Sequence, residues 1–187
     1  MTAVALLDAN VLVPAALRDT LLRSAEARLY EVHWSALILE EMRRTLVRDG
    51  LASPDAAARL VTTMQRAFHE ADVRGFEARI PEMVNHPKDR HVLAAAVTGG
   101  ASVIVTHNVR DFPPSALMPY GVAAQTPGAF LITLLRSYPR MMLRLLRQQA
   151  RDLYQPPQQL EDVLQALTRD APDFVAAVQE TADRGRL

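Results

Sequence analysis

The chain has 187 residues, with 21 basic and 21 acidic side chains, no formal net charge and no cysteine. That length fits one domain of ordinary size, or one domain with a small appendage, and is enough to bury a core without covalent staples. Disulfides, thiolate metal sites and cysteine nucleophiles are excluded, and no apolar run approaches the roughly 20 residues of a membrane span. The first residues lack the basic start and long apolar stretch of a secretion signal, so the expectation is a soluble cytoplasmic protein. Zero net charge argues against a nucleic-acid partner, but the balance is uneven. Residues 1–126 carry 13 basic and 14 acidic side chains (net −1), residues 127–155 carry 5 and 1 (net +4), and residues 156–187 carry 3 and 6 (net −3). Among the 21 basic residues only Lys88 is lysine. Arginine forks suit phosphate recognition, although abundant arginine and alanine together also mark GC-rich coding.

In chain order, Val4-Ala5-Leu6-Leu7 reads as a buried strand that ends at Asp8. The spacing from Val11 to Leu29 is helical, with a break expected near Arg18-Asp19. Glu31-Val32-His33-Trp34 reads as a second short strand. Ser35 then caps a helix to about Val47, with Leu37, Met42 and Leu46 among its apolar positions. Ser53-Pro54 opens another helix to about His69, and Val73 to Ile80 reads as a weak strand. Helix is expected from His86 to Thr98, stopped by Gly99-Gly100. Ser102 to Val105 is a β-branched strand ending at Thr106-His107-Asn108, and Val122 falls in a last short strand. Strands alternating with helices predict an α/β fold, a parallel sheet sandwiched by helices, with ligands bound beyond the carboxyl ends of the strands. Asp8 and Asn108 then lie on one rim. After Gln125 the pattern changes: helices start at Thr126-Pro127, Pro139, about Leu160 and Pro172, no strand is evident, and Tyr154-Gln155-Pro156-Pro157 reads as a linker. The predicted organisation is an α/β domain over residues 1–126 and an all-helical extension over residues 127–187.

Carboxylates mark the candidate chemistry. Asp8 follows the first strand, Glu40 and Glu41 lie in the helix after the second, Asp89 opens a helix after Asn85-His86-Pro87, and Asn108 and Asp111 follow the Val103–Val105 strand. Three or more carboxylates at one rim repel one another unless they hold a hard divalent cation, which prefers oxygen ligands. Such a site can position a water against a phosphodiester. Each residue alone also has a plain structural role. Asp8 and Asp89 suit helix caps, one of Glu40 and Glu41 suits a solvated face, and Asp111 suits a turn.

The joint pattern resembles the PIN-domain family. Leu6-Leu7-Asp8-Ala9-Asn10-Val11-Leu12 is similar to its opening motif. Trp34-Ser35-Ala36-Leu37-Ile38-Leu39-Glu40-Glu41-Met42 is similar to its second, with Glu41 on the ligand position. His86-Pro87-Lys88-Asp89-Arg90-His91-Val92-Leu93-Ala94 is similar to its third, with Asp89 as ligand. Val103-Ile104-Val105-Thr106-His107-Asn108-Val109-Arg110-Asp111-Phe112-Pro113 is similar to its fourth. The four motifs come in the family's order. The resemblance implies a Mg²⁺- or Mn²⁺-dependent ribonuclease, a VapC-type toxin of a bacterial toxin–antitoxin pair, with a helical C-terminal extension. Implied metal ligands are Asp8, Glu41 and Asp89, assisted by Asn108 and Asp111; the charged members Asp8, Glu41, Asp89 and Asp111 form the implied catalytic set. Implied partners are an RNA substrate, a cognate antitoxin and a second copy in a homodimer, with no membrane. Many family members carry Asp where this chain has Asn108, whose amide brings no charge, so Asp111 is the alternative fourth carboxylate.

Other residues carry two readings each. Thr106 either bonds a ligand carboxylate or ends its strand, and Asn10 holds the Asp8 loop rather than touching metal. His86, His91 and His107 are expected at the surface, since magnesium does not seek imidazole. Trp34 is expected in the core, with base stacking as the alternative. Arg140, Arg144, Arg147 and Arg151 share one face of the helix from Pro139; they form either a solvated face or a contact surface for RNA phosphates or an acidic antitoxin stretch. Two further functions compete with the nuclease. One is a catalytically weak PIN-like RNA- or protein-binding module, motivated by Asn108. The other is a phosphatase of the haloacid-dehalogenase type with Asp8 as nucleophile, which expects a second Asp where this chain has Asn10.

Overall fold

Short aliphatic and β-branched runs form strands β1 (Val4–Leu7), β2 (Glu31–His33), β3 (Val103–Val105) and β4 (Ala123–Gln125) in a computed structural model that describes residues 3–153 and 159–184. All pairings are parallel and the order is β2-β1-β3-β4. The two central strands are apolar along their length and buried from Ala5 to Leu7 and from Val103 to Val105, as expected for a parallel sheet covered by helices. Register sets which side chains meet at the strand ends. Leu7 pairs with Val105 and Val105 with Gln125, so the next residues, Asp8 and Thr106, leave the sheet side by side.

The helices are α1 (Ala9–Leu12), α2 (Ala15–Glu26), α3 (Ala36–Arg48), α4 (Pro54–Ala67), α5 (Arg90–Thr98), α6 (Pro114–Leu117), α7 (Pro127–Ser137), α8 (Pro139–Leu153), α9 (Leu160–Leu167) and α10 (Pro172–Arg184). Predicted caps act as such: Ser35, Ser53 and Thr126 accept from the backbone N–H three residues on, at 3.3, 3.2 and 3.2 Å. Several expectations need correction. The helical stretch from Val11 to Leu29 is interrupted at Pro14, not near Arg18-Asp19, because proline offers no N–H to continue the ladder. Val73 to Ile80 forms no strand. Pairing there is limited to a bridge between Trp34 and Asp72, after which Gly75, at φ +73°, and Pro81 turn the chain into a 3₁₀ segment over Glu77–Glu82. The helix expected from His86 begins with a 3₁₀ turn over Pro87–Asp89. Leu37 is 44% exposed, and α3 instead buries Ile38, Leu39, Met42 and Leu46. The last strand starts just after Val122.

The chain divides into two compact units. One comprises residues 1–13 and Tyr30–Gln125; the other comprises Pro14–Leu29 and residues 126–187. The second unit therefore differs from a simple cut at residue 126 by one segment, α2. The reason is packing: α2 buries Leu17, Thr20, Leu21, Ser24 and Ala25 and packs on α8 and α9. Polar groups specify that contact. The Thr20 hydroxyl donates to Gln149 Oε1 at 2.8 Å, Gln149 Nε2 donates to the Ala16 carbonyl at 3.0 Å, and Arg23 Nη1 pairs with Asp152 Oδ2 at 2.7 Å. Gln149 is completely buried beside Met142, Leu146 and Ala150 of the same helix face. Elsewhere in this unit α7 packs on α10, with the Asp173 carboxylate lying where a Cβ on Gly128 would point. The linker read at Tyr154-Gln155-Pro156-Pro157 lies outside the described residues. Among the described residues no helix is long and apolar enough to cross a membrane.

Gln149 supplies a stability test of the second unit. Gln149→Ala leaves the Ala16 carbonyl without its amide donor, and should cost about 1–3 kcal/mol in urea unfolding. Gln148→Ala, at an exposed neighbour, should be close to neutral.

Candidate metal centre

Asp8 sits where β1 ends, only 4% exposed, with its backbone N–H on the Val105 carbonyl at 3.1 Å. Its Oδ1 accepts from the Ala9 N–H at 2.7 Å, and its Oδ2 accepts from the Thr106 hydroxyl at 2.6 Å and from Asn10 Nδ2 at 2.7 Å. A carboxylate offers about four lone-pair positions. Three are used, which leaves one on Oδ1 for a cation. Asn10 also reaches Thr106 Oγ1 with Nδ2, at 3.0 Å, and its Oδ1 accepts from the His107 N–H at 3.0 Å. It thus clips the loop after β1 to the loop after β3. Both ends of the Asn10 amide are engaged in this clip, and it offers no carboxyl group for the proton transfer that an aspartyl-phosphate chemistry at Asp8 would need.

Glu41 comes from α3, which packs on α1, the turn immediately after Asp8. The adjacent acid is differently employed. Glu40 accepts from Arg43 Nε at 2.7 Å and Arg44 Nε at 2.6 Å, and these bonds hold its carboxyl at about 2. Glu41 instead lies 3.4 Å from Nε2 of His91, within ion-pair distance but outside hydrogen-bond geometry. His91 is buried at 8% exposure, its Nδ1 lying 3.1 Å from the Lys88 carbonyl. The expectation of a surface histidine is therefore wrong for His91. Burial works against its charge, but Glu41 outweighs that, helped by the Lys88 carbonyl and by Asp8, and holds the ring above its ordinary pKa. The sequence placed this residue in the third motif but carried no signal of its burial beside Glu41, which comes from a different helix.

Asp89 ends the 3₁₀ turn that leads into α5, and Asp111 ends another over Val109–Asp111. The two loops are tied by the His86 N–H on the Asp111 carbonyl at 3.1 Å. Ligand atoms of His86, Asp89 and Asp111 all lie within 4.8 Å of one another. Asn108 is exposed and joins the site through its backbone N–H, 3.0 Å from Thr106 Oγ1. Thr106 is thus the hub that ties Asp8, Asn10 and the Asn108 backbone together. Trp34 is fully buried, edge-on to Phe68 at 5.8 Å, so it offers no face to a base. His86 and His107 are exposed, as expected.

The charges of these groups act on one another. Burial pushes the Asp8 carboxyl up to about 6, against the pull of Thr106 and Ala9, and the charges of Asp89 and Glu41 add to the rise. Burial also raises Asp89, followed by Asp111 and Glu41, while His86 and His91 oppose it. Asp8, Glu41, Asp89 and Asp111 are therefore hard oxygen donors near enough to act on one another, with the imidazoles of His86 and His91 opposing the rise at Asp89. That donor set suits a hard divalent cation, which prefers oxygen ligands.

Residues 4–110 match the family model described as PIN domain, and residues 127–180 match the model described as VapC50 C-terminal domain. A protein of Mycobacterium tuberculosis named "Putative ribonuclease VapC50" is 38% identical over 111 residues, 59% of this chain and 66% of that protein. The chain thus spans just under two thirds of that relative's length. No solved structure matches the chain.

The Asp8 environment sets a measurable titration. Its folded-state value, about 6, lies above the ordinary 3.8. The stability it contributes to the metal-free protein is therefore fully present below pH 3.8 and is lost as pH rises through about 6. Carboxyl-carbon NMR of the metal-free protein should show one Asp titrating near pH 6, absent in Asp8→Asn. No carboxyl titrating above pH 5 would contradict this.

Proposed function

The chain belongs to the PIN-domain family, and on that premise we propose that it is a Mg²⁺- or Mn²⁺-dependent endoribonuclease, the toxin of a bacterial type II toxin–antitoxin pair, acting in the cytoplasm. The observation that carries this reading is the set of carboxylates that separate segments supply: Asp8 at the end of β1, Glu41 on α3, and Asp89 and Asp111 on two loops tied together by the His86 N–H; burial first, and then the neighbouring acids, raise Asp8 and Asp89. Support for the toxin role comes from the name of the Mycobacterium tuberculosis relative and from the match of residues 127–180. Residues 1–126 are assigned to the nuclease domain and 127–187 to the extension, with α2 packed in the latter's unit. The cognate antitoxin is the protein that covers or distorts the acidic rim, and a homodimer is the proposed assembly.

A divalent cation bound by Asp8, Glu41, Asp89 and Asp111, with Asn108 as a neutral oxygen donor, would polarise the phosphodiester and acidify water beside it. The chain's own residues do the positioning. The Ala9 N–H, Asn10 and Thr106 fix Asp8 so that its remaining lone pair on Oδ1 has one direction. His91 balances Glu41 from a ring anchored on the Lys88 carbonyl. His86 lies 3.4 Å from Asp89 and serves as its charge partner, since imidazole suits softer metals. No side-chain nucleophile is required. A second reading, a binding module without catalysis, is favoured by the neutral Asn108 alone.

Two experiments test the assignment. Asp8→Asn and Asp89→Asn should each abolish Mg²⁺-dependent RNA cleavage while far-UV circular dichroism stays native; full cleavage by either would sink the nuclease. Glu41→Gln should weaken Mn²⁺ binding by more than about tenfold, whereas Glu40→Gln, which frees only Arg43 and Arg44, should leave it unchanged. A wild-type chain that binds no Mn²⁺ would favour the silent module.

A further inference from the structure

The polar face of α8 carries a row of arginines: Arg140, Arg144, Arg147 and Arg151 are all exposed. At 3.6 residues per turn they fall within an arc of roughly 60° along about 16 Å of helix axis, opposite the buried Met142, Leu146, Gln149 and Ala150. The acid of this helix, Asp152, is employed elsewhere: its Oδ2 pairs with Arg23 of α2 at 2.7 Å and its Oδ1 accepts from Gln148 Nε2 at 2.7 Å. Among the described residues none of the four arginines forms an ion pair. The contrast is with α2 and α3. Arg23 is answered by Asp19 one turn away, and Arg43 and Arg44 are answered by Glu40. In α8 three successive like-charged pairs at i,i+3 or i,i+4 spacing repel, which destabilises a helix. An anionic partner relieves that repulsion.

We infer that this face binds the phosphate backbone of single-stranded RNA, with Arg140, Arg144, Arg147 and Arg151 each meeting a phosphate. Two observations favour a polyphosphate over a protein. The arc holds no apolar residue, whereas a protein interface needs an apolar core. The row offers a cation every three or four residues along one side of the helix, so successive phosphates of a flexible strand can each meet one, and the arginine fork suits that contact. The groove beside Arg147 and Arg151 is also lined by Glu161 and Asp183, which repel phosphate and confine the contact to the outer row. Naming RNA rather than another polyanion rests on the ribonuclease reading above.

The test uses the full chain and a fluorescent single-stranded RNA, with binding followed by anisotropy in EDTA so that cleavage is off. Each phosphate contact on a single strand contributes about −0.7 to the slope of log affinity against log salt. Arg144→Gln with Arg147→Gln should make that slope shallower by about 1.4 and weaken binding roughly tenfold to a hundredfold at 50 mM salt. Arg144→Lys with Arg147→Lys, which keeps the charge, should retain the slope. The control pair Arg59→Gln with Arg66→Gln removes two exposed arginines of α4 and should change neither quantity. Glutamine preserves helix propensity, and circular dichroism checks the fold. The inference is overturned if the α8 pair leaves affinity and slope unchanged, if the α4 pair costs as much, or if the α8 pair loses binding to poly-glutamate but not to RNA. RNA cleavage is scored separately. A chain that binds through α8 but never cleaves refutes the nuclease alone, and one that cleaves with unaltered binding in the α8 pair refutes this surface alone.

Discussion

The first unit is organised around the burial of one carboxylate at the end of a central strand. A charge removed from water is unfavourable unless donors replace the solvent. For Asp8 those donors are the Ala9 N–H, Asn10 Nδ2 and the Thr106 hydroxyl. Only a parallel pairing of β1 and β3 in the observed register brings Thr106 alongside. Sheet topology and site chemistry are therefore one problem here. A one-residue slip in the register would remove the hydroxyl from Asp8 and turn inward side chains outward.

The remaining donors arrive by packing. α3 rests on α1 and delivers Glu41; α5 rests on β1 and β3 and delivers Asp89 at its start and His91 within its first turn. The resulting field is under-neutralised, with burial and mutual repulsion both acting to protonate Asp8 and Asp89. Cation binding and proton binding are then competing answers to the same unfavourable charge. The asymmetry between Glu40 and Glu41 reflects the helix period. Adjacent residues point about 100° apart, so one acid faces Arg43 and Arg44 and the other faces the rim.

Much of this was legible in the sequence wherever local chemistry decides the outcome. The strands around Asp8 and Asn108, the Ser35, Ser53 and Thr126 caps, and the helix starts at proline all obey short-range rules, and the four-strand parallel sheet with its helical tail agrees with them. What escaped depends on distant residues. The pairing of His91 with Glu41 joins two helices fifty positions apart, which no local pattern shows. The role of Thr106 needed a register that no single strand encodes. The stretch from Val73 to Ile80 carries apolar residues without a partner edge beyond one bridge, so its composition misled. Pro14 was a local signal for the helix break, and the expectation overlooked it. That α2 clusters with residues 126–187 depends on Thr20, Arg23 and Gln149 meeting across more than a hundred positions.

That last separation has a consequence for how the chain is made. Synthesis proceeds from the N-terminus at about 5–20 residues per second, so α2 emerges from the ribosome well before α8 exists. For several seconds its face of Leu17, Leu21 and Ala25 has no native cover. The first unit, by contrast, receives its last strand at Gln125 and can close earlier. The order of appearance leaves a nascent chain whose sheet can be complete while one amphipathic helix still waits for its partners.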